Sequence, residues 1–252
     1  MLFRSHVILV LPNGTLVCPF QEFTLNPITG DQEINIALIR STDQGLTWSG
    51  RIPVAREFLT PTIDPENGQT VVSDNQSFAV DPRNGNLYAV WQDARFNNFA
   101  YTSIAFSMSA NGGLTWSEPI PINQTPRRLP AGNRQAFLPA IAVAADGTIG
   151  VTYYDFRFND GRPGLLTDYW LVQYHPSRRA PATNPANWGD EVRLTPRSFD
   201  VEKAGAPFFD YFVGDYEGLT AIGADFVAVF GQVDRDDVTS IFFRRVHNDE
   251  EK

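Results

Sequence analysis

The sequence predicts an all-β fold built from repeated four-stranded sheets, and three observations carry that prediction. The octet Ser41-Thr42-Asp43-Gln44-Gly45-Leu46-Thr47-Trp48 returns as Ser109-Ala110-Asn111-Gly112-Gly113-Leu114-Thr115-Trp116, with Ser, Gly, Leu, Thr and Trp in register. A second pattern recurs between the octets: a turn of Asn or Asp before Gly, an apolar strand, then an aromatic residue and a carboxylate. Composition agrees, because 19 Gly, 18 Pro and 13% aromatic residues suit short strands joined by tight turns.

The elements follow in order. Apolar first strands are expected at residues 7–11, 78–80, 140–144 and 219–222. Turns at Asn13-Gly14, Asn84-Gly85 and Asp146-Gly147 lead into second strands. These end at Phe20-Gln21-Glu22, Trp91-Gln92-Asp93-Ala94-Arg95 and Tyr153-Tyr154-Asp155-Phe156-Arg157. Third strands are expected at 34–40, 103–107, 169–174 and 240–246. Each octet is a capped turn: Asx and Ser side chains satisfy backbone amides, Gly takes positive φ, and Thr-Trp opens the fourth strand. The third unit lacks an octet and takes its fourth strand from 187–194; the fourth unit has no outermost strand. Four antiparallel strands per repeat make a β-propeller blade. The expected blades are 1–56, 74–123, 137–195 and 209–247 within a single domain, 1–252. The spacings between Gly14, Gly85, Gly147 and Gly223 exceed the ~40–50 residues of common blades, so long loops are expected.

The octet resembles the Asp-box (BNR repeat) of sialidases, also called neuraminidases, with motif SxDxGxTW. Ser41, Asp43, Gly45, Thr47 and Trp48 match at every defined position, and Ser109, Gly113, Thr115 and Trp116 match with Asn111 in place of Asp. The resemblance implies a sialidase-type propeller, with the box as a structural turn on the outer rim. That family has six blades where about four are legible here. A fragment of a longer chain, a small ring and an arc completed by another subunit all remain open, and the first is favoured. Open blade edges would invite self-association.

The same resemblance implies a glycoside hydrolase acting on sialic acid or a related acidic sugar. Three Arg would hold the substrate carboxylate, an Asp would serve as acid/base, and a Tyr assisted by Glu would be the nucleophile. Guanidinium forks suit a carboxylate, and a neutral Tyr avoids setting a carboxylate against an anionic sugar. Carried onto this chain, the catalytic candidates are Asp93, Asp155, Glu217 and Tyr153. Substrate-binding candidates are Arg4, Arg95, Arg134, Arg157, Asp215 and Tyr216. Period two sets Asp215 and Glu217 on one side and Tyr216 on the other, so Glu217 is expected to assist a Tyr from elsewhere, such as Tyr153 or Tyr211. The Asp-x-Arg pairs also have a purely structural reading, as salt bridges tying blades together. Arg51, in a look-alike of the family's Arg motif, is expected to be a solvated surface charge.

Other classes are disfavoured. A net charge of −9 argues against nucleic-acid binding, and no apolar run approaches a membrane span. Cys18 stands alone, His6, His175 and His247 are scattered, and no metal, cofactor or phosphate-loop motif appears. The apolar run near Met1 is too short for a signal peptide, and location is otherwise undetermined. The alternative function is a non-catalytic propeller that binds glycan or protein.

Overall fold

A computed structural model describes residues 2–4, 7–26, 28–177, 180–205, 210–214, 217–234 and 237–248, with only the backbone given for 2–4. Asp215 and Tyr216 lie outside the described residues, and the side chain of Arg4 does too.

The described fold is all-β, with only short 3-10 turns beside the strands. The first sheet holds β1 (Leu2–Arg4), β2 (Leu9–Val10), β3 (Leu16–Leu25), β4 (Gln32–Ser41) and β5 (Ile52–Glu57). A two-stranded hairpin follows, β6 (Thr62–Ile63) with β7 (Thr70–Val71). The second sheet is β8 (Gln76–Val80), β9 (Leu87–Asp93), β10 (Ser103–Ser109) and β11 (Ile120–Pro121). The third comprises β12 (Ala136–Val143), β13 (Ile149–Asp155), β14 (Leu166–Tyr174) and β15 (Gly189–Arg193), with β16 (Phe199–Asp200) also pairing β14. The fourth has β17 (Gly218–Ile222), β18 (Asp225–Asp234) and β19 (Asp237–Val246).

Each sheet is an antiparallel meander, and consecutive sheets pack face to face in chain order. Ile36 and Leu38 of the first sheet meet Leu87, Ala89 and Trp91 of the second. Tyr88, Val90 and Phe106 on the opposite side of the second meet Ile141, Val151 and Tyr153 of the third. Phe137, Tyr154 and Tyr169 on the far side of the third meet Phe226 and Phe230 of the fourth. The first strands β8, β12 and β17 are neighbours in that order, which makes them the inner rim. This is the arrangement of propeller blades.

Two details depart from four equal blades. The first and third sheets each carry a fifth strand, since β1 and β2 both pair β3 while β16 pairs β14. The hairpin β6–β7 crosses the rim: Gln135 Nε2 donates to the carbonyl of Ile63 at 2.7 Å, and the backbone of Val71 bridges to that of Tyr211. It therefore ties the first two sheets to the third and to the segment leading into the fourth. The inner strand β12 also starts four residues before the apolar strand expected at 140–144. A bulge interrupts its ladder between Phe137 and Ala140, where Leu138 takes φ +49° and Pro139 has no amide to donate. The freed amide of Leu138 donates to Gln92 Oε1 of the second sheet at 3.1 Å, so the bulge serves as a joint between sheets.

The two octets fold alike. Ser41 Oγ donates to Asp43 at 2.7 Å and accepts from the Gly45 amide at 2.8 Å, while the Thr47 amide donates to Asp43 at 2.9 Å. Ser109, Asn111, Gly113 and Thr115 repeat those bonds at 2.9, 2.8 and 3.0 Å. Only the last bond reverses. Thr47 Oγ1 donates to the Asp43 carboxylate at 2.5 Å, whereas Thr115 Oγ1 accepts from Asn111 Nδ2 at 2.8 Å. A hydroxyl rotates to donate or accept, which is why Asn replaces Asp without loss of the turn.

These bonds predict how the first octet responds to substitution and pH. Hydrogen bonds from Thr47 and then Ser41 hold the Asp43 carboxyl at about 2, below its unfolded value of 3.8. Its contribution to stability is therefore present above pH 3.8 and lost as pH falls through 2. Asp43→Asn is expected to keep the native melting temperature at neutral pH and to remove this acid-linked loss. Asp43→Ala is expected to lower the melting temperature at neutral pH by a few degrees, on the order of a lost cap. Thermal melts between pH 2 and 7 check both; equal melting of the Asn and Ala variants would contradict the assignment.

Candidate functional site

The second strands β3, β9 and β13 each carry a buried carboxylate: Glu22 within β3, and Asp93 and Asp155 as the last residues of β9 and β13. Asp93 accepts from Trp91 Nε1 at 2.8 Å and from Arg95 through both its backbone amide and its guanidinium at 2.9 Å. Arg95 then reaches the carbonyl of Arg56 in the first sheet and covers the ring of Phe58. Asp155 repeats the motif. It accepts from Arg157 Nε at 2.7 Å, from Trp170 Nε1 at 3.0 Å and from Thr125 Oγ1 of the second sheet's outgoing loop at 2.6 Å. Burial raises the Asp155 carboxyl to about 6, against the lowering pull of Arg157 and Thr125. Arg157 lies 3.7 Å over the Trp170 ring and pairs with Glu191 Oε2 at 2.5 Å.

Both Asp-x-Arg pairs thus close within their own sheet, and each reaches the preceding sheet through one further bond. The forks of Arg95 and Arg157 are occupied by neighbouring carboxylates. The expectation for Arg51 is corrected: it is not merely a solvated charge, since its Nε donates to the buried Glu22 carboxylate at 2.6 Å. A bare buried Glu22 would be costly, and Arg51 is its cation among the described ion pairs.

The tyrosine partners also differ from expectation. Tyr153 and Tyr154 are adjacent on β13 and point to opposite faces. Tyr153 faces the second sheet, where its hydroxyl donates to Glu191 and accepts from the Gln124 amide at 2.9 Å. Tyr154 faces the fourth sheet, and it is Tyr154 that meets Glu217, its single hydroxyl proton shared between Oε1 at 3.0 Å and the carbonyl of Gly231 at 2.7 Å. Burial raises the Glu217 carboxyl to about 8, although Tyr154 and the Gly231 amide pull it down. Tyr211 instead accepts from Asn67 Nδ2 at 3.1 Å. Both Tyr153 and Tyr154 are fully buried, and burial raises both hydroxyls well above the ordinary tyrosine value.

A polar seam between the first and second sheets was not legible beforehand. Gln21 Nε2 donates to Glu57 at 2.9 Å and to Asp74 at 3.2 Å. Burial and then the Asp74 charge raise the Glu57 carboxyl well above its ordinary value. Glu57 ends the outermost strand and Asp74 precedes an inner strand, so no sequence spacing links them.

Between the second and third sheets lies a groove of about 1030 Å³, lined by Phe96, Asn97, Asn98, Tyr101, Asn123, Gln124, Thr125, Arg127 and Arg134, among others. Two loops build it. One follows β9, where a 3-10 turn over Arg95–Asn97 ends at Asn98 in the left-handed region, φ 52°. The other runs from β11 to β12 and ends in a 3-10 turn over Ala131–Arg134. Arg134 lies 5.2 Å over the Tyr101 ring, and its buried Nε has no hydrogen-bond partner among the described residues. Arg134 differs in this from Arg95 and Arg157: it carries no carboxylate partner among the described ion pairs. The floor residue Thr125 donates to Asp155, which couples the groove to the buried network beneath it. Two guanidinium groups, several amides and two aromatic rings suit a polar anionic ligand. Among the described residues no helix is long and apolar enough to cross a membrane.

Neither a protein-family model nor a curated protein sequence matches this chain. Solved structures do. A Hadza microbial sialidase aligns with 96% of the chain at 16% identity and a TM-score of 0.54, and the aligned region covers 44% of the sialidase. An α-L-arabinanase from Penicillium chrysogenum, solved with arabinobiose, aligns with 97% of the chain and 62% of its own length at 17% identity and a TM-score of 0.49. A GH93 α-L-arabinofuranosidase from Fusarium graminearum aligns with 96% of the chain and 62% of its own length at 15% identity and a TM-score of 0.48. The chain thus spans less than half the length of the sialidase it resembles. The likeness, together with the stacked sheets, shows the fold: a β-propeller of sialidase type.

Proposed function

We propose that this chain is a sialidase-like propeller of glycoside-hydrolase descent, with Asp-box turns, and that it recognises an acidic sugar of the sialic acid class. One observation carries the reading. Arg134 lines the groove 5.2 Å over the Tyr101 ring, without a carboxylate partner among the described ion pairs, and Arg127 lines the same groove. A sugar carboxylate would complete the Arg134 fork, Tyr101 and Phe96 would take apolar ring faces, and Asn98 and Gln124 would bond hydroxyls. In this reading Asp93–Arg95 and Asp155–Arg157 are framework pairs that stiffen the loops carrying the groove.

Hydrolysis is the second reading, and the Tyr154–Glu217 couple favours it, since Glu217 beside a Tyr hydroxyl is the pairing a nucleophilic Tyr needs once pH exceeds about 8 and the carboxyl ionises. Burial of Tyr154 speaks for recognition as the primary role, because its hydroxyl has no path to a sugar without movement of the fourth sheet.

Calorimetric titration with sialyllactose and with lactose tests the proposal. Binding is expected for the acidic sugar, with little for lactose. Arg134→Ala is expected to weaken it at least about tenfold, roughly 1.4 kcal/mol, the scale of one charge-assisted hydrogen bond. Equal affinity for the two sugars, or an Arg134→Ala variant that binds as wild type does, would sink the reading. A fluorogenic sialoside assay separates the second: turnover that Glu217→Gln and Tyr154→Phe both abolish would move the chain to the enzymes.

Glu217 also predicts a pH dependence of stability. Its folded value of about 8 exceeds its unfolded 4.5, so the folded state holds a proton that the unfolded state has lost between those values. Stability from this group therefore falls as pH rises from 4.5 to 8. Glu217→Gln is expected to flatten that decline and raise the melting temperature at pH 8 by on the order of 2–4 °C. Melting curves at pH 5 and pH 8 read it directly; an unchanged slope would show that Glu217 is not the group responsible.

A further inference from the structure

In the first three sheets the third strand has an outer partner: β4 pairs β5, β10 pairs β11 and β14 pairs β15. The fourth sheet differs. β19 runs for ten residues, and its far edge pairs no strand among the described residues. One face of β19 is already used, since Phe242 stacks on Phe230 and Arg244 donates to the carbonyl of Leu194 in the third sheet. The other face carries Asp237, Thr239, Ile241, Phe243 and Arg245, which alternate along the strand. Ile241 is 81% exposed and Phe243 72%, with Val229 beside Phe243 on β18 at 41%. Ordinary edge strands are short, bulged or charged along their length; β19 is long and keeps its charges at its two ends.

That charge pattern selects the occupant. Asp237 stands at one end of β19, and Arg244 and Arg245 stand near the other. An antiparallel copy of the same strand, placed so that Ile241 lies opposite itself, sets Asp237 opposite Arg245 at both ends, where Asp237 would join Asp225, already 2.7 Å from the half-exposed Arg245 guanidinium. It also sets Thr239 opposite Phe243. A one-residue slip destroys the charge match and turns the apolar side chains to opposite faces. The geometry points to a two-fold dimer of this chain formed by β19 pairing with β19 of a second copy, which joins two three-stranded sheets into one of six. The contact is isologous and closes after two copies, so it satisfies the edge without open-ended growth. The apolar face of the joined sheet then runs continuously across the axis through Phe243, Ile241 and their counterparts.

Sedimentation analysis of the full chain tests this, with circular dichroism confirming that each variant is folded. A dimer is expected, with Ile241→Lys and Phe243→Glu each raising its dissociation constant at least about tenfold. Cross-linking fixes the register. In a Cys18→Ser background, Ile241→Cys is expected to form a disulfide-linked dimer on oxidation, because directly opposed strand residues sit within disulfide reach. Thr239→Cys in the same background is expected not to cross-link. A chain that stays monomeric at every concentration overturns the proposal. So does a dimer that ignores both β19 substitutions, cross-linking through Thr239→Cys, or open-ended growth abolished by Val10→Lys, which would place the contact on the exposed face of the first sheet.

Discussion

Face-to-face packing of consecutive sheets is the constraint on which the rest of this chain depends. A strand alternates its side chains between two faces, so every interior sheet must supply two different interfaces from one sequence. β13 shows the consequence most plainly. Val151, Tyr153 and Asp155 face the second sheet, while Tyr154 faces the fourth. Neighbours in sequence therefore belong to separate cores and separate polar networks. Close approach tightens the demand: a Cβ on Gly150 would lie 2.7 Å from the Phe226 ring, so the third and fourth sheets leave no room for a side chain there.

The polar ends of the strands obey the same constraint. Carboxylates such as Asp93 and Asp155 are wholly buried, and an unpaired buried charge is costly. Each is met by an Arg two residues on, by a Trp indole and by backbone or hydroxyl donors. Burial still dominates at Asp155, whose carboxyl sits near 6 despite Arg157. Such pairs hold geometry more than they add stability. They leave little free fork for a ligand, whereas Arg134 lies over the Tyr101 ring with its buried Nε unpartnered among the described residues. The two kinds of guanidinium group thus differ in their partners: Arg95 and Arg157 are paired with carboxylates, and Arg134 has none among the described ion pairs.

The octet turns show how local chemistry and packing cooperate. Their hydrogen bonds are local and survive the exchange of Asp for Asn, because the Thr hydroxyl reverses its role. Packing distinguishes the two copies. A Cβ on Gly113 would meet Leu38 at 3.1 Å and Leu87 at 3.2 Å, so the second octet is pressed against the junction of the first two sheets. On Gly45 the nearest such contact is Leu16 at 3.6 Å.

Local information was enough for the all-β class, the four repeats, the turn positions and the octet geometry. Turn residues, period-two alternation and repeated short motifs act within a dozen residues, so they can be read along the chain. Partnerships between distant residues could not be read. That Glu217 meets Tyr154 rather than Tyr153, that Arg51 covers Glu22, that Gln21 joins Glu57 to Asp74, and that the Arg134 Nε has no partner among the described residues all follow from which faces are brought together. The sequence by itself determined the strands and their turns; the tertiary structure alone decided which polar groups are spent inside the sheets and which face the groove, because burial and pairing are properties of neighbours that the chain brings together only on folding.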